Sequence, residues 1–411
     1  MRKTLTNQQK IWIATAFCFL FMFAEALTGN IFSTLQPFII EHYGTSLTQS
    51  SLFSMSGQIG HLLIMYLIMV ISDRLDKVKL LGILGIALGA CAMTIGTAPA
   101  MTAMVLLLAL RTMLEAFLDN TCTAYISNMW GEKRGRYIGM MFVLFVVGSS
   151  IAPNLNSYLI ADRGLQWNAS YTVTGAICLA VTVLYILAFS VMKRPQLEIQ
   201  QRKDGEKKKL SVAKMLENRN MKALFLANIT LSFYMYFGSQ LPVFFYMTNA
   251  DVFDTRTRSL IATCGSIGSI VSRVLYVPLS TRWRTINYLR LQALTSVFFN
   301  VVGLIFMNPY VWMVCLFLSN CISGASYTAR TVLTCDEYPD YASSASAATS
   351  VASGLAGLVA TPLMNFVAEN VGFMVAMIIP LFFGLGTFFV FRFVYVEHNM
   401  PEPVADELLT K

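Results

Sequence analysis

Twelve stretches of this 411-residue chain are nearly free of charge and about 20 residues long or longer, the length a helix needs to cross a hydrocarbon layer of ~30 Å. They run approximately over residues 11–37, 49–72, 80–98, 101–129, 137–161, 169–192, 222–248, 257–281, 286–307, 310–335, 342–369 and 372–396. A segment in lipid has to satisfy its own backbone N–H and C=O groups, so each stretch is expected to be an α-helix. Composition agrees, with 56% hydrophobic and 13% charged residues against about 25% charged in soluble domains. The sequence therefore describes an all-α membrane protein of twelve spans, and an even count places both termini on one side. Ile11–Phe38 is too long for a signal-peptide core and lacks a small-residue cleavage site, so no cleavable leader is expected.

Basic residues orient the chain. Most of the 30 Lys and Arg fall at the N-terminus, in the loops after spans two, four and eight, in the central loop Lys193–Asn220 and at the C-terminal end. The opposite loops hold Arg163, Arg256 and Arg258. By the positive-inside rule both termini of this multi-pass cell-membrane protein are expected in the cytoplasm. The net charge of +8 then reports topology and not nucleic-acid binding. One inner loop is acidic instead, with Asp336, Glu337 and Asp340, and reads either as a partner for neighbouring basic loops or as a solvated turn. The eight cysteines lie in or beside apolar segments without paired spacing. They read as small core residues, and neither a disulfide framework nor a metal or cofactor site is expected.

The central loop divides six spans from six. Its Lys207–Lys209 run reads as a lipid-facing anchor or as a ligand site, and Leu210, Ala213 and Leu216 fit a short amphipathic helix on the inner surface. The expected organisation is a six-helix bundle over 1–192, a linker over 193–221, a second bundle over 222–396 and a tail over 397–411. The two halves are related in sequence. Ser51–Arg74 aligns without gaps to Ser259–Arg282, pairing Gly57 with Gly265, Ile59 with Ile267 and Gly60 with Gly268. Gly148–Asn156 likewise matches Gly357–Asn365, with prolines and asparagines in register. Two pseudo-symmetric bundles related by an axis along the membrane normal are a carrier architecture, with the substrate site between the halves near the midplane.

Asp73-Arg74-Leu75-Asp76-Lys77, after span two, is similar to the D-R-x-G-[RK] signature of the major facilitator superfamily, and the resemblance covers essentially the whole chain. Asp76 stands where the signature has glycine, and Met69 stands where a second glycine is usual. Arg111 resembles the family's span-four arginine (R-x-x-x-G), with Glu115 for the glycine. Gly148–Pro153 resembles the G-x-x-x-G-P element associated with antiporters, with Ala152 for the second glycine. The resemblance implies that Asp73 and Arg74 serve a gate that holds the outward-facing state.

Charges inside the spans mark the candidate site. Arg111, Glu115 and Asp119 recur every four residues and share one narrow face of span four, since each step drifts only about 40°. An ionisable group in hydrocarbon costs roughly 2.5–3.5 kcal/mol on insertion scales, so that face needs polar neighbours or water. At about 1.5 Å per residue, Glu25, His61 and Arg111 fall near the midplane, Arg273 slightly inward of it, and Asp119 and Arg330 near the inner mouth.

Glu25 is the candidate proton carrier, and its alternative is a neutral, hydrogen-bonded core acid. Arg111 with Glu115 is either a permanent ion pair or part of the coupling machinery, which Asp119 could join. His61 is a second titratable candidate or a packing residue. Arg273 needs an anion, supplied by a substrate carboxylate, sulfonate or phosphate or by Glu25, Glu115 or Asp119. Arg330 reads as a snorkelling or inner-gate residue, with Asp119 or Asp336 as its partner. Span seven carries Tyr236 and Gln240 on one face beside Pro242, a candidate binding wall, and Asn154 could reach a cavity or bond across helices.

These residues point to a secondary transporter. No G-x-x-x-x-G-K-[ST] loop is present, so ATP hydrolysis is not expected. With three histidines and no H-E-x-x-H cluster, an intramembrane enzyme has little chemistry available, and a receptor on the same fold would bind without accumulating. Three intramembrane arginines favour a proton-coupled carrier of a small organic anion, acting as a monomer in the bilayer. Glu25, Asp119 and Gly148–Pro153 favour the alternative, a drug or organic-cation/proton antiporter.

Overall fold

Helix start signals written in the sequence are used as written. A computed structural model describes residues 5–71, 75–130, 134–192, 195, 215–337 and 342–396. Helix α1 (Asn7–Tyr43) opens with a capping box, in which Thr6 Oγ1 accepts from Gln9 N at 3.3 Å and Gln9 Oε1 accepts from Thr6 N at 3.0 Å. It closes at Gly44, whose φ of 58° is the left-handed conformation that ends a helix. Helices α2 (Leu47–Ile71), α3 (Lys77–Ile95), α4 (Met101–Trp130), α5 (Arg134–Ser157, extended by a π turn over Tyr158–Asp162) and α6 (Asn168–Val191) follow. Asp76, where the family signature has glycine, caps α3 by accepting from Val78 N at 3.1 Å.

The second half contains α7 (Arg219–Asn249), α8 (Thr255–Arg282), α9 (Thr285–Phe306), α10 (Pro309–Ser323), α11 (Ser326–Glu337), α12 (Ala342–Asn370) and α13 (Phe373–Phe389, extended by a π turn over Val390–Val394). Asp254 caps α8 through Thr257 N at 2.8 Å, and the hydrogen bonds from Thr257 hold its carboxyl below the usual carboxylate range. Asn308 caps α10 just before Pro309, which needs no N–H at that position. Ten segments of the described chain are long and apolar enough to cross a membrane by length and composition. With α2 and α7 the described residues hold twelve spans, and the fold is an all-α membrane fold.

The tenth stretch differs from the sequence expectation of one continuous span. It breaks at Gly324–Ala325 into α10 and α11. Gly324 lies against α8, where a Cβ would come within 2.6 Å of Ser269 Cα. The freed backbone groups find side chains: Ala325 N donates to Ser272 Oγ at 3.1 Å, and Ile322 O accepts from Tyr288 OH. In lipid such groups cannot be left dry, and here α8 and α9 supply the partners. The amphipathic stretch expected around Leu210 and Ala213 lies outside the described residues.

The chain folds as two compact units, one of Met1–Ser46 and Leu52–Lys207, the other of Leu47–Ser51 and Lys208–Lys411. In the first, α1 packs on α4, α5 and α6, and α3 packs on α4 and α6. In the second, α7 packs on α12 and α13, and α9 packs on α10 and α13. The pairing α1–α5, α1–α6, α3–α4 and α3–α6 thus recurs as α7–α12, α7–α13, α9–α10 and α9–α13.

Aligned residues do the same work in both. A Cβ on Gly60 would sit 2.6 Å from Ala109 O of α4, and one on Gly268 would press on Phe317 O of α10. Asn156 Nδ2 donates to Ile31 O of α1 at 3.1 Å, while its counterpart in the second unit, Asn365, accepts through Oδ1 from Tyr236 OH of α7 at 2.7 Å. The second unit also takes in the first turn of α2. Glu369 Oε1 accepts from Thr48 N at 2.9 Å there, a carboxylate at a helix N-terminus.

Candidate functional site: charged interiors of the two bundles

In the first unit the charged face of α4 docks on α1. Arg111 Nε lies 3.2 Å from Glu115 Oε1, and both side chains are almost wholly buried. Arg111 Nη1 donates to Thr28 O at 3.3 Å, and Thr28 Oγ1 lies 3.3 Å from the same Glu115 oxygen while donating to Glu25 O at 2.8 Å. Gly29 makes the approach possible, since a Cβ there would sit 3.3 Å from Glu115 Oε1. Thr28 and Gly29 are too ordinary to stand out in sequence. The signal that could have found them is the α4 charge face, which requires a polar, close-packed partner helix.

Glu25, one turn before Thr28, is 7% exposed, and its Oε2 has no hydrogen-bond partner among the described residues. It lies within electrostatic reach of Asp119 and Glu115. Three carboxyls and one guanidinium therefore share this interior. Asp119 accepts from Thr123 Oγ1 at 3.3 Å on its own helix. Beside this group, Asn30 Nδ2 donates to Ser149 Oγ of α5 at 3.0 Å, so Gly148–Pro153 contributes a polar contact to α1. Asn154 Nδ2 bonds to Ser150 O at 3.1 Å on its own helix, and His61 is half-buried on α2. Asp73 and Arg74 lie outside the described residues.

The second unit is different in kind. Among α7, α8, α9, α10 and α13 there is no Asp or Glu, and in α11 and α12 acids occur only near the C-terminal end. Arg273 is half-buried in the second half of α8. Arg330 on α11 is 8% exposed. Its Nη1 donates to Asn228 Oδ1 of α7 and its Nε to Ser326 O at 3.3 Å. Of the partners expected from sequence, Asp119 belongs to the other unit and the Asp336 side chain lies outside the described residues.

Tyr236 and Gln240 do share a face of α7, but both are buried, and the Tyr236 hydroxyl is engaged by Asn365. Tyr234, not singled out in sequence, accepts from Asn300 Nδ2 of α9 at 2.6 Å. The end of this unit where α7 begins and α11 ends is tied by Glu337, which accepts from Asn220 Nδ2 at 2.7 Å and Tyr395 OH at 3.0 Å. Among the described residues no cluster of three or more His, Cys, Asp or Glu could hold a metal.

The Major Facilitator Superfamily profile matches residues 17–256, more than half of the chain. The chain belongs to the major facilitator superfamily. Solved structures agree on the fold. A bacterial homologue of the human lysosomal transporter Spinster, inward-facing and unoccupied, superposes with a TM-score of 0.70 at 13% identity, covering 93% of this chain and 97% of the other. The nucleoside transporter NupG gives 0.74 at 11% identity, with 96% and 100% covered. A point mutant of the Escherichia coli fucose:proton symporter FucP gives 0.62 at 16% identity, with 94% and 100% covered. No curated protein sequence matches. At these identities the structures establish the major facilitator fold, a transporter fold embedded in the membrane, and nothing about substrate.

Proposed function

We propose that this major facilitator protein is a secondary active transporter of a small organic anion, coupled to protons and working by alternating access as a monomer. The observation that carries the reading is the charge of the second bundle: Arg273 stands in the second half of α8, in a unit whose span interiors contain no acidic residue. A guanidinium keeps its charge and offers a planar fork of donors that matches a carboxylate, sulfonate or phosphate. Proton coupling is assigned to Glu25. A carboxyl that is dry in one state and wet in another changes its hold on a proton between them, and the dry state is supported by the burial of Oε2. Arg111, Glu115 and Asp119 complete the charged interior around it.

The bundles are taken as 1–192 and 222–396, joined by a cytoplasmic linker, with both termini in the cytoplasm and the protein in the cell membrane. Enzymatic and receptor roles are set aside on the strength of the family match, and accumulation of labelled ligand inside vesicles separates a carrier from both. A second reading, an organic-cation/proton antiporter, is favoured by the acid-rich interior of the first bundle and by the contact of Ser149 with Asn30.

Uptake into proteoliposomes under an imposed pH gradient tests the choice, with labelled methanesulfonate, which stays ionised and does not cross lipid unaided, and a labelled cationic dye as probes. The anion reading expects gradient-driven methanesulfonate uptake that Arg273→Ala abolishes at normal expression. Dye movement against the proton gradient without methanesulfonate uptake selects the antiporter instead.

A further inference from the structure

Arg330 and Arg111 are both buried guanidinium groups, yet among the described residues only Arg111 carries its counter-charge with it. Arg111 has Glu115 one turn along the same helix. Among the described residues Arg330 is fixed by neutral groups: Asn228 Oδ1 takes Nη1, and Ser326 O takes Nε. Asn228 is itself held, by Leu224 O at 2.8 Å and by Ser353 Oγ of α12 at 3.3 Å, and Ser232 Oγ bonds Ser353 O at 3.1 Å. Three helices therefore aim one cation, and among the described residues none brings a carboxylate to it.

Glu337 lies two turns further along α11 and is already engaged by Asn218, Asn220 and Tyr395. The Asp336 side chain lies outside the described residues. An arginine cannot discharge itself by losing its proton, so a buried one without an internal counter-ion is completed by an anion from water. Two of its five N–H donors are committed among the described residues, which leaves a fork for two oxygens.

We propose that Arg330 binds the carboxylate, sulfonate or phosphate headgroup of the transported solute, with Asn228 as the positioning residue that aims it. The inference rests on the anion reading above and moves Arg330 from the gate, where the sequence places it, into the binding site.

The test is thermal unfolding of the purified full-length protein in lipid nanodiscs, titrated with benzoate, methanesulfonate and inorganic phosphate. A ligand that binds only the folded protein raises Tm with concentration. At least one probe is expected to stabilise the wild type, with a response at least about tenfold weaker in Arg330→Gln. Arg330→Lys, which keeps the charge without the fork, is expected to fall between the two.

Asn228→Asp is the sharper variant and covers the case in which Arg330→Gln does not fold. It supplies an internal counter-ion, so the protein without ligand is expected to be at least as stable as the wild type while the anion response disappears. An undiminished anion response in Asn228→Asp and Arg330→Lys overturns the assignment of Arg330 and leaves the anion reading standing. No response to any probe in the wild type overturns both.

Discussion

The two bundles share a scaffold and differ in charge. Gly60 and Gly268 admit a neighbouring helix at the same place, and Asn156 and Asn365 each bond the first helix of their own unit. The chemistry is not duplicated. The first bundle buries Glu25, Glu115 and Asp119 around one arginine, and the second buries Arg330 among amides and hydroxyls with Arg273 on α8. Residues that let helices touch are constrained alike in both halves, because close packing of small residues is what holds membrane helices together. Residues that meet solute or proton are free to diverge.

The largest expected effect comes from making the first bundle resemble the second. Glu115→Gln leaves Arg111 buried without its carboxylate and is expected to destabilise by about 3–5 kcal/mol, while Arg111→Leu combined with Glu115→Leu recovers most of that stability. Thermal unfolding of these variants in mild detergent checks it. Equal stability of Glu115→Gln and wild type would mean that Arg111 is answered by something other than Glu115.

Next in size is the shared packing. Gly60→Val and Gly268→Val each force a side chain against a neighbouring carbonyl and are expected to cost about 1–3 kcal/mol. The two falls in Tm should be similar, and a large drop at one position with none at the other breaks the structural equivalence of the halves.

The cap on α8 belongs to the second bundle alone among these tests. Asp254→Ala is expected to cost roughly 1 kcal/mol. Because the folded carboxyl titrates below its ordinary range, its contribution is present at neutral pH and is lost as the pH falls through that depressed value. The difference in Tm between wild type and variant should therefore shrink in acid. The smallest effects are expected from Asn156→Ala and Asn365→Ala, about 0.6 kcal/mol each and of the same sign.

Much of this architecture is legible in the sequence, because span length, absence of charge and a gapless internal repeat each report one physical constraint. The charged face of α4 is equally legible, since helix periodicity alone puts Arg111, Glu115 and Asp119 together. What it docks against is not. Thr28 and Gly29 carry no compositional signal, and their role depends on how closely α1 approaches α4.

The break at Gly324 is hidden for a related reason. The stretch stays apolar throughout, and the groups that satisfy the broken backbone, Ser272 and Tyr288, come from other helices. Asp76 reads as a departure from the family signature until the structure shows it capping α3, a local gain in helix start that glycine supplies less well. Arg330 is visible as a charge inside a span, but its contact with Asn228 is not, because that residue lies on a helix remote in sequence.

The division of labour between the two bundles is tested most directly by solute counterflow in proteoliposomes, measured beside pH-driven accumulation for Glu25→Gln and Arg273→Ala. Glu25→Gln is predicted to exchange methanesulfonate, which stays ionised and does not cross lipid unaided, but not to accumulate it in response to a pH gradient, and Arg273→Ala to do neither. Identical behaviour of the two variants, or normal exchange by Arg273→Ala, would contradict the assignment of proton and anion to separate bundles.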